Sequence, residues 1–168
     1  YRDNLIENFR IQLDFKKMYD ALCDEYIIII KLHPAVRKQA KNLESIYNGF
    51  VYDLSEYDNI NELLIITDIL ITDYSSICYY GFAGGSNIIY FWGDKELAEN
   101  EYGSPNILQN DNRFGDVVYD IEETLNETIK KNYYSEQRDF YKARYKKLVE
   151  FTDGNNIKNV YKYIKELK

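Results

Sequence analysis

Two stretches of sequence decide the fold of this chain, Ile27-Ile28-Ile29-Ile30-Lys31-Leu32-His33-Pro34 and Asp68-Ile69-Leu70-Ile71-Thr72-Asp73-Tyr74-Ser75-Ser76. Each stretch is a short apolar run that ends in polar residues, which is typical of a buried strand followed by a loop. In an open α/β sheet, ligands bind in the crevice outside the carboxyl ends of the parallel strands. The sequence therefore predicts a ligand site that His33 and the Ser75–Ser76 pair face together.

Strand and helix patterns alternate along the chain, and the strands are continuous apolar runs, as in a parallel sheet covered on both faces. We therefore predict the α/β class, with a Rossmann-like parallel sheet and helices on both faces. The predicted strands are 26–32, 50–52, 69–72, 87–92 and 117–119. The first predicted helix begins at a cap, Asp3 or Asn4, and ends at about Cys23, and a short second helix ends at about residue 46. Further helices are predicted over 60–66, from 75 onward, and over 121–132, 136–150 and 156–167. A long polar loop is predicted over 93–116.

The composition limits the function classes. A length of 168 residues with 45% hydrophobic residues suits one domain with a substantial core. The net charge of -7, with acidic residues spread along the chain, argues against a nucleic-acid-binding surface. The Lys-rich and Tyr-rich stretch 130–168 is an exception, which we interpret as a solvated helical face in preference to a contact with an anionic membrane or polymer.

The two cysteines, Cys23 and Cys78, lie far apart in apolar settings and form no zinc-binding spacing. We interpret both as small core residues of a protein in the reducing cytoplasm. The apolar runs are too short to span a bilayer, and no signal peptide opens the sequence. Because residues 1–4 have the character of a loop and cap with no initiator methionine, we expect residues 1–168 to be one domain, a fragment that lacks its first strand.

His33 is the only histidine, so any histidine chemistry of this chain must use it. It follows the apolar run and precedes Pro34, which has no amide to extend a ladder, so it lies at the carboxyl end of its strand. An imidazole there could donate a hydrogen bond to phosphate oxygens and offset charge on a leaving phosphate. The alternative is a structural or merely exposed histidine.

The segment Asp73-Tyr74-Ser75-Ser76 joins a strand to a helix, where unpaired amides and the positive end of the helix dipole favour an anion. The two hydroxyls would add hydrogen-bond donors. The alternative is that Ser75 is an N-cap and Ser76 a first-turn residue. Gly81, Gly84 and Gly85 form no dinucleotide fingerprint and are expected to end the helix.

The segment from Asp53 to Glu62 leaves another strand end. Asn59 and Glu62 have the spacing of a capping box, with Asn at the cap and Glu three residues later. Because the segment follows a strand, contact with a base or ribose is the second interpretation.

Four segments in order carry a resemblance to a known family, and the second and fourth lie in the two opening stretches: Tyr1-Arg2-Asp3-Asn4, Lys31-Leu32-His33-Pro34, residues 53–64 and residues 68–76. The chain resembles the C-terminal half of the CDP-glycerol:poly(glycerophosphate) glycerophosphotransferases, the teichoic acid polymerases and primases. The similarity runs from the first residue to the helix after Asp153-Gly154, and residues 59–76 are its most specific part.

The resemblance implies the C-terminal lobe of a GT-B enzyme that binds a CDP-activated polyol phosphate. It implies that His33 is catalytic and contacts the donor pyrophosphate, together with Asp73, Ser75 and Ser76. Arg2, Ser55 and Glu62 are candidate nucleotide contacts. An acceptor hydroxyl would attack the β-phosphorus and release CMP.

The rest of the enzyme would lie elsewhere. The catalytic base would lie in an N-terminal lobe absent from this sequence, and the polymer or lipid-linked acceptor would bind there. The full-length protein would associate peripherally with the inner face of the bacterial membrane. No cofactor is required. Magnesium is compatible with a pyrophosphate donor, but no Asp and Glu constellation requires it.

This chain departs from the family pattern at Tyr79-Tyr80-Gly81, Ser86-Asn87 and Tyr102-Gly103-Ser104-Pro105, where the family has an acidic residue, an Arg-Pro pair and an Arg-containing segment. The donor polyol therefore stays open between glycerol, ribitol and others. Two alternatives also stay open. One is a lobe of a capsule glycosyltransferase or sialyltransferase that uses a CMP- or UDP-sugar, and the other is a non-catalytic nucleotide-binding module.

Overall fold

A computed structural model describes residues 13–33, 36–37, 42–93, 95–102, 112–119, 123–133, 135–150 and 152–167. Strands and helices alternate through these residues. The strands are β1 Ile28–Ile30, β2 Val51–Asp53, β3 Ile69–Thr72, β4 Asn87–Phe91 and β5 Asp116–Val118. The helices are α1 Phe15–Leu22, α2 Leu43–Ile46, α3 Ile60–Ile65, α4 Ile77–Ala83, α5 Lys95–Tyr102, α6 Glu123–Asn132, α7 Asp139–Leu148 and α8 Asn156–Glu166.

All strand pairs of the described residues are parallel, as the apolar runs predict. The strands form two hydrogen-bonded groups instead of the single sheet that we expected: β1 pairs with β2, and β3, β4 and β5 pair in that order. The first pair is extended at both ends, by the Ile28 amide on the Phe50 carbonyl at 2.7 Å and the Leu54 amide on the Ile30 carbonyl at 2.9 Å. These two bonds continue the pairing of β1 to the residues on either side of β2.

One hydrophobic core joins the two groups of strands. Ile30 of β1, Val51 of β2 and Ile89 of β4 are buried in the same cluster, which α1 and α6 cover with Met18 and Leu125 among others. Fully burying a side chain of this size contributes roughly 1.5–3 kcal/mol each. The shared core therefore holds β1 and β3 in one fold although no ladder joins them.

The opposite face of β3, β4 and β5 has its own core, as expected for a sheet with helices on both faces. Along β4 and the next residue, Ile88, Tyr90 and Trp92 point to this second core, whereas Ile89 and Phe91 pack against the first. The second core is largely aromatic: Phe114 meets Phe82 of α4 at 5.0 Å and Tyr145 of α7 at 5.1 Å, both edge to face. Part of the high tyrosine content therefore fills a core.

Several boundaries differ from the sequence prediction. The described α1 begins only at Phe15, because Asp14 caps it by accepting from the Lys17 amide at 3.0 Å; Asp3 and Asn4 lie outside the described residues. The prediction of an unbroken polar loop over 93–116 was wrong, since α5 lies within it. An ion pair between Lys95 and Glu99 at 3.7 Å, four residues apart, supports that helix.

The glycines after Tyr80 take two roles. Gly84 is the C-cap of α4 and Gly85 has a φ of 104°, so these two end the helix as predicted. Gly81 instead lies inside α4, where an added Cβ would come within 2.6 Å of Leu70 Cδ2. Its small size lets α4 approach β3 closely.

Both cysteines are free thiols, and their predicted core role is confirmed for Cys78, which is fully buried; Cys23 is half-buried and packs against the first core. Burial raises the pKa of the Cys78 thiol to about 11. No helix within the described residues has the length and apolar character to cross a membrane.

Candidate functional site

His33 lies three residues beyond Ile30, the last residue of β1, and it is exposed. Its carbonyl accepts the Val36 amide at 2.9 Å, so the chain turns directly after it. Pro34 lies outside the described residues. The imidazole is thus placed at the carboxyl end of β1, as predicted, and its side chain is exposed.

The turn between β3 and α4 is organised by Asp73. One carboxylate oxygen of Asp73 accepts the Ser75 amide at 3.0 Å, which is an Asx turn. The Ser75 hydroxyl in turn accepts the Ile77 amide at 3.4 Å, at the first residue of α4. Ser76 occupies the N-cap position without a side-chain bond to the helix, so the alternative interpretation, with Ser75 as N-cap and Ser76 in the first turn, is displaced by one residue. Both serines are exposed.

Trp92 fixes this turn from the sheet side. It follows β4, is 1% exposed, and its indole Nε1 donates to the Asp73 carbonyl at 3.3 Å. The Tyr74 ring stacks on the indole with centroids 5.5 Å apart and planes 9° apart. The exposed serines therefore stand on a turn that is anchored in the second core.

Replacing Trp92 with Phe removes the Nε1 donor while keeping an aromatic ring beside Tyr74. We expect a loss of at least about 2 kcal/mol of stability, because the buried indole loses one hydrogen bond and the smaller ring leaves a cavity, with faster amide hydrogen exchange at Ser75. The matched control is Tyr145→Phe, which removes a bond of similar length, 3.2 Å to the Tyr79 carbonyl, from the same core. That control should leave Ser75 exchange unchanged, and equal exchange at Ser75 in both variants would contradict the role of Trp92.

Open space adjoins Ser76. A cleft of about 800 Å³ lies between α4 and α7, and Ser76 lines it together with Tyr79, Lys142 and Lys146. The two lysines, of which Lys142 also pairs with Asp139 at 3.7 Å, bring positive charge to that cleft within a chain whose net charge is -7. A negatively charged group beside Ser76 would therefore be stabilised by its surroundings.

The loop after β2 carries the candidate nucleotide contacts Ser55 and Glu62. Ser55 is 5% exposed, and its hydroxyl accepts the Leu32 amide at 3.2 Å. Glu62, on the first turn of α3, is exposed and accepts from the Tyr57 hydroxyl and from Asn59 Nδ2 at 2.7 Å. Asn59 is the N-cap of α3, as the capping-box pattern predicts, but its side chain donates to the Glu62 carboxylate and makes no cap bond to the helix.

The structure joins some predicted site residues and leaves others apart. The loops after β1 and β2 are bonded to each other, which brings Ser55 beside the segment that carries His33. The turn with Ser75 and Ser76 belongs to the other group of strands. Arg2 lies outside the described residues. Across the described residues, no group of three or more His, Cys, Asp or Glu side chains could hold a metal ion.

Comparison with known proteins identifies the family. The family described as CDP-Glycerol:Poly(glycerophosphate) glycerophosphotransferase matches residues 1–166. The chain belongs to this family. It is 28% identical over 170 residues to the teichoic acid glycerol-phosphate primase of Bacillus subtilis, which covers 99% of this chain and 42% of the primase. A higher identity, 54%, extends over only 67 residues of the teichoic acid poly(ribitol-phosphate) polymerase of Bacillus spizizenii, 40% of this chain and 11% of that protein.

Solved structures confirm the fold. The wall teichoic acid polymerase TagF matches 99% of this chain with a TM-score of 0.74 at 22% identity. A variant of TagF soaked with CDPG matches 86% of this chain and 36% of its own with a TM-score of 0.66 at 23% identity. This chain spans 42% of the TagF chain. The α/β class and the similarity to one part of a GT-B-like polymerase are thereby confirmed. The family is one of glycerophosphotransferases, which agrees with the main interpretation and not with the capsule-glycosyltransferase or non-catalytic alternatives.

Two contributors to the site were missed by sequence reasoning. The sequence pattern assigns no role to Lys31 and predicts Trp92 only as the end of a strand, yet both hold loops of the candidate site. The place of Lys31 directly after an apolar run indicates that it lies at a strand end, which could have marked it as a candidate. Nothing local to Trp92 indicates that its indole reaches a carbonyl 19 residues away.

Proposed function

We propose that this chain is the donor-binding part of a glycerophosphotransferase in teichoic acid synthesis. It would bind a CDP-activated polyol phosphate, CDP-glycerol or a close relative, and present it to an acceptor hydroxyl. The observation that carries the proposal is the turn after β3, where two exposed hydroxyls stand at the start of α4 on a rigid base. The family match over residues 1–166 supports the identity of the donor.

The reaction is a phosphoryl transfer. An oxygen of the acceptor hydroxyl bonds to the β-phosphorus, and the bond from that phosphorus to the bridging oxygen breaks. The bridging oxygen leaves with CMP, and the polyol phosphate becomes a phosphodiester on the acceptor. The acceptor proton passes to a base outside these residues. Catalysis of this kind depends on positioning and on stabilising the charge that leaves.

His33 would supply that stabilisation on the CMP side. An imidazole at the carboxyl end of β1 can donate a hydrogen bond to the phosphate oxygens and balance the charge that grows on the leaving group. Its exposure leaves it accessible to a pyrophosphate. This makes His33 the catalytic residue of the proposal.

Ser75 and Ser76 would hold the pyrophosphate from the turn after β3. Their exposed hydroxyls can donate to its oxygens. Asp73 carries a negative charge that would repel a phosphate, so we assign it an indirect part: its carboxylate holds the Ser75 amide and shapes the turn. Ser55, Glu62 and Arg2 are the proposed contacts to the nucleoside.

The acceptor, a polymer or a lipid-linked primer, would bind to a further lobe that these residues do not include. In this proposal the full-length enzyme works at the inner face of the bacterial membrane as a peripheral protein. The substrates and partners of the relatives reach this chain only through the proposal, because the chain spans about two-fifths of the primase and of TagF.

Binding of the donor tests the proposal. We expect CDP-glycerol and CDP to bind the 168-residue chain in calorimetry. His33→Ala and the double variant Ser75→Ala with Ser76→Ala should each weaken binding about tenfold, as expected when a charge-assisted or paired hydrogen bond to phosphate is lost. Binding should also raise the melting temperature, since the ligand binds the native state.

The control variant is Ser45→Ala, whose hydroxyl donates to the Asn42 carbonyl at 2.9 Å on the exposed side of α2. It should bind CDP-glycerol like the wild type. CMP-sialic acid and a UDP-sugar, as ligand controls, should leave the melting temperature unchanged. Unchanged CDP affinity in both site variants would refute the site, and stabilisation by CMP-sialic acid alone would refute the donor class.

A further inference from the structure

Lys31 makes two hydrogen bonds to the main chain of another loop. Its ammonium nitrogen donates to the Ser55 carbonyl at 2.9 Å and to the Tyr57 carbonyl. Lys31 directly follows β1, whereas both acceptors lie in the loop after β2. The side chain is half-buried between the two loops.

A lysine suits this place for a physical reason. Beyond Leu54 the loop after β2 turns away from the ladder, so its carbonyls need hydrogen-bond donors from elsewhere. An ammonium group has three donors on a flexible stem and can satisfy two carbonyls that converge on one point. The Leu32 amide adds a third link through the Ser55 hydroxyl. Residues 31–32 and 55–57 therefore form one hydrogen-bonded unit.

This unit extends to Glu62. The Tyr57 hydroxyl donates to one oxygen of the Glu62 carboxylate, and Asn59 Nδ2 donates to the other at 2.7 Å. The main chain of Tyr57, which Lys31 holds, thus sets where the phenol lies and where the carboxylate points. An exposed Glu with both oxygens directed by neighbours is preorganised for a polar ligand.

We propose that Lys31 is a positioning residue that fixes the loop after β2, and with it Ser55 and Glu62, in the conformation that receives the nucleoside of the donor. The inference rests on the proposed function, because it assumes a nucleotide ligand. In this role Lys31 acts on the base and ribose of the donor, because it holds the loop that contacts them. It does not contact the phosphates. A direct phosphate contact is the competing role, and the two roles differ in which ligands they affect.

Two ligands separate these roles, CDP measured by calorimetry and cytidine, which has no phosphate, measured by NMR titration. Lys31→Met, which keeps the apolar stem, should weaken both by the same factor of about ten. Lys31→Arg, which keeps the charge and several donors, should retain affinity within about threefold. Tyr57→Phe, which removes only the link to Glu62, should also weaken both ligands equally.

The control is Lys16→Met, which breaks an exposed pair with Asp20 at 2.7 Å and should change neither affinity. Hydrogen exchange of the amides of residues 54–57 should quicken in Lys31→Met and not in Lys16→Met. A loss for CDP alone, or unchanged binding in both Lys31→Met and Tyr57→Phe, would overturn the positioning role while leaving the proposed function intact. Wild-type protein that bound neither ligand would overturn the proposed function and this inference together.

Discussion

Gly115→Ala is expected to destabilise the protein by about 3 kcal/mol, at the upper end of the cost of overpacking a core. Gly115 is buried just before β5, and a Cβ there would lie 2.3 Å from the Ile88 carbonyl oxygen and 2.7 Å from Ile88 Cβ. Neither atom can yield easily, because Ile88 belongs to β4, which is paired on both sides. The clash would force β4 and β5 apart.

Thermal unfolding measures this effect. For a chain of this length, about 3 kcal/mol corresponds to a fall in melting temperature of roughly 10 °C. Gly84→Ala is the matched control, because Gly84 has a φ of -74° and its nearest neighbours lie 3.4 Å from an added Cβ. It should shift the melting temperature by no more than a few degrees. Similar falls in the two variants would show that the close approach at Gly115 is not the cause.

The positions of β3 and β4 could be predicted because a local run of apolar residues determines each strand. The apolar run 69–72 is β3 at the expected residues, and 87–92 is β4 apart from its last residue. β1 is shorter than the predicted 26–32: Ile27 is 62% exposed, and Lys31 turns to bond the neighbouring loop. An apolar run marks a strand well, but tertiary contacts set its ends.

Other features could not be predicted because they depend on contacts between distant residues. Apolar runs do not reveal which strands pair, so the division into two groups of strands was not foreseen. α5 was missed because a segment rich in Glu and Asn has weak apolar periodicity, although an ion pair four residues apart supports it. Long-range contacts are invisible to such patterns.

In the candidate site, too, some features could be predicted from the sequence and others could not. The exposure of His33, Ser75 and Ser76 follows from their place after apolar runs, and the topology rule for α/β sheets is enough to predict it. The contacts that hold the loops, from Lys31 and from Trp92, join residues 19 to 26 positions apart. Exposed polar residues at strand ends are therefore easier to predict from sequence than the buried or half-buried residues that hold their loops.

Asp116 is the centre of a polar cluster at the opposite end of the sheet from the candidate site. It begins β5, and its carboxylate accepts from Asn132 Nδ2 at 2.9 Å, from the Tyr141 hydroxyl at 2.7 Å and from the Arg138 guanidinium. These partners connect β5 to α6 and α7. The cluster therefore fastens the C-terminal helices to the sheet.

The protonation of Asp116 reflects these contacts. Burial alone would raise the pKa of its carboxyl, but the hydrogen bonds from Asn132 and Tyr141 and the charge of Arg138 outweigh burial and lower it below its usual value. The same contact acts oppositely on its partner, because burial and the bond to Asp116 raise the pKa of Tyr141 to about 12. Asp116 is thus held as the anion in the folded state.

Asp116→Asn is expected to cost about 2–3 kcal/mol at neutral pH, since a half-buried charged acceptor is lost and Arg138 loses its partner. The cost should depend on pH. Because the folded-state pKa of Asp116 is lowered, its contribution is fully present above the unfolded-state pKa of about 4 and declines as the pH falls through the folded-state value. The difference in unfolding free energy between wild type and Asp116→Asn should therefore shrink as the pH is lowered from about 5 toward 2.

Urea unfolding at a series of pH values measures this difference. Asp139→Asn is the matched control, because Asp139 has a fully exposed side chain and only a 3.7 Å pair with Lys142. Exposed pairs of this kind contribute about 0–1 kcal/mol, so the control should differ little from the wild type at any pH. A difference for Asp116→Asn that stayed constant with pH would mean that its charge does not stabilise the fold. The side chain of Asp116 would then stabilise the fold only by its packing between α6 and α7.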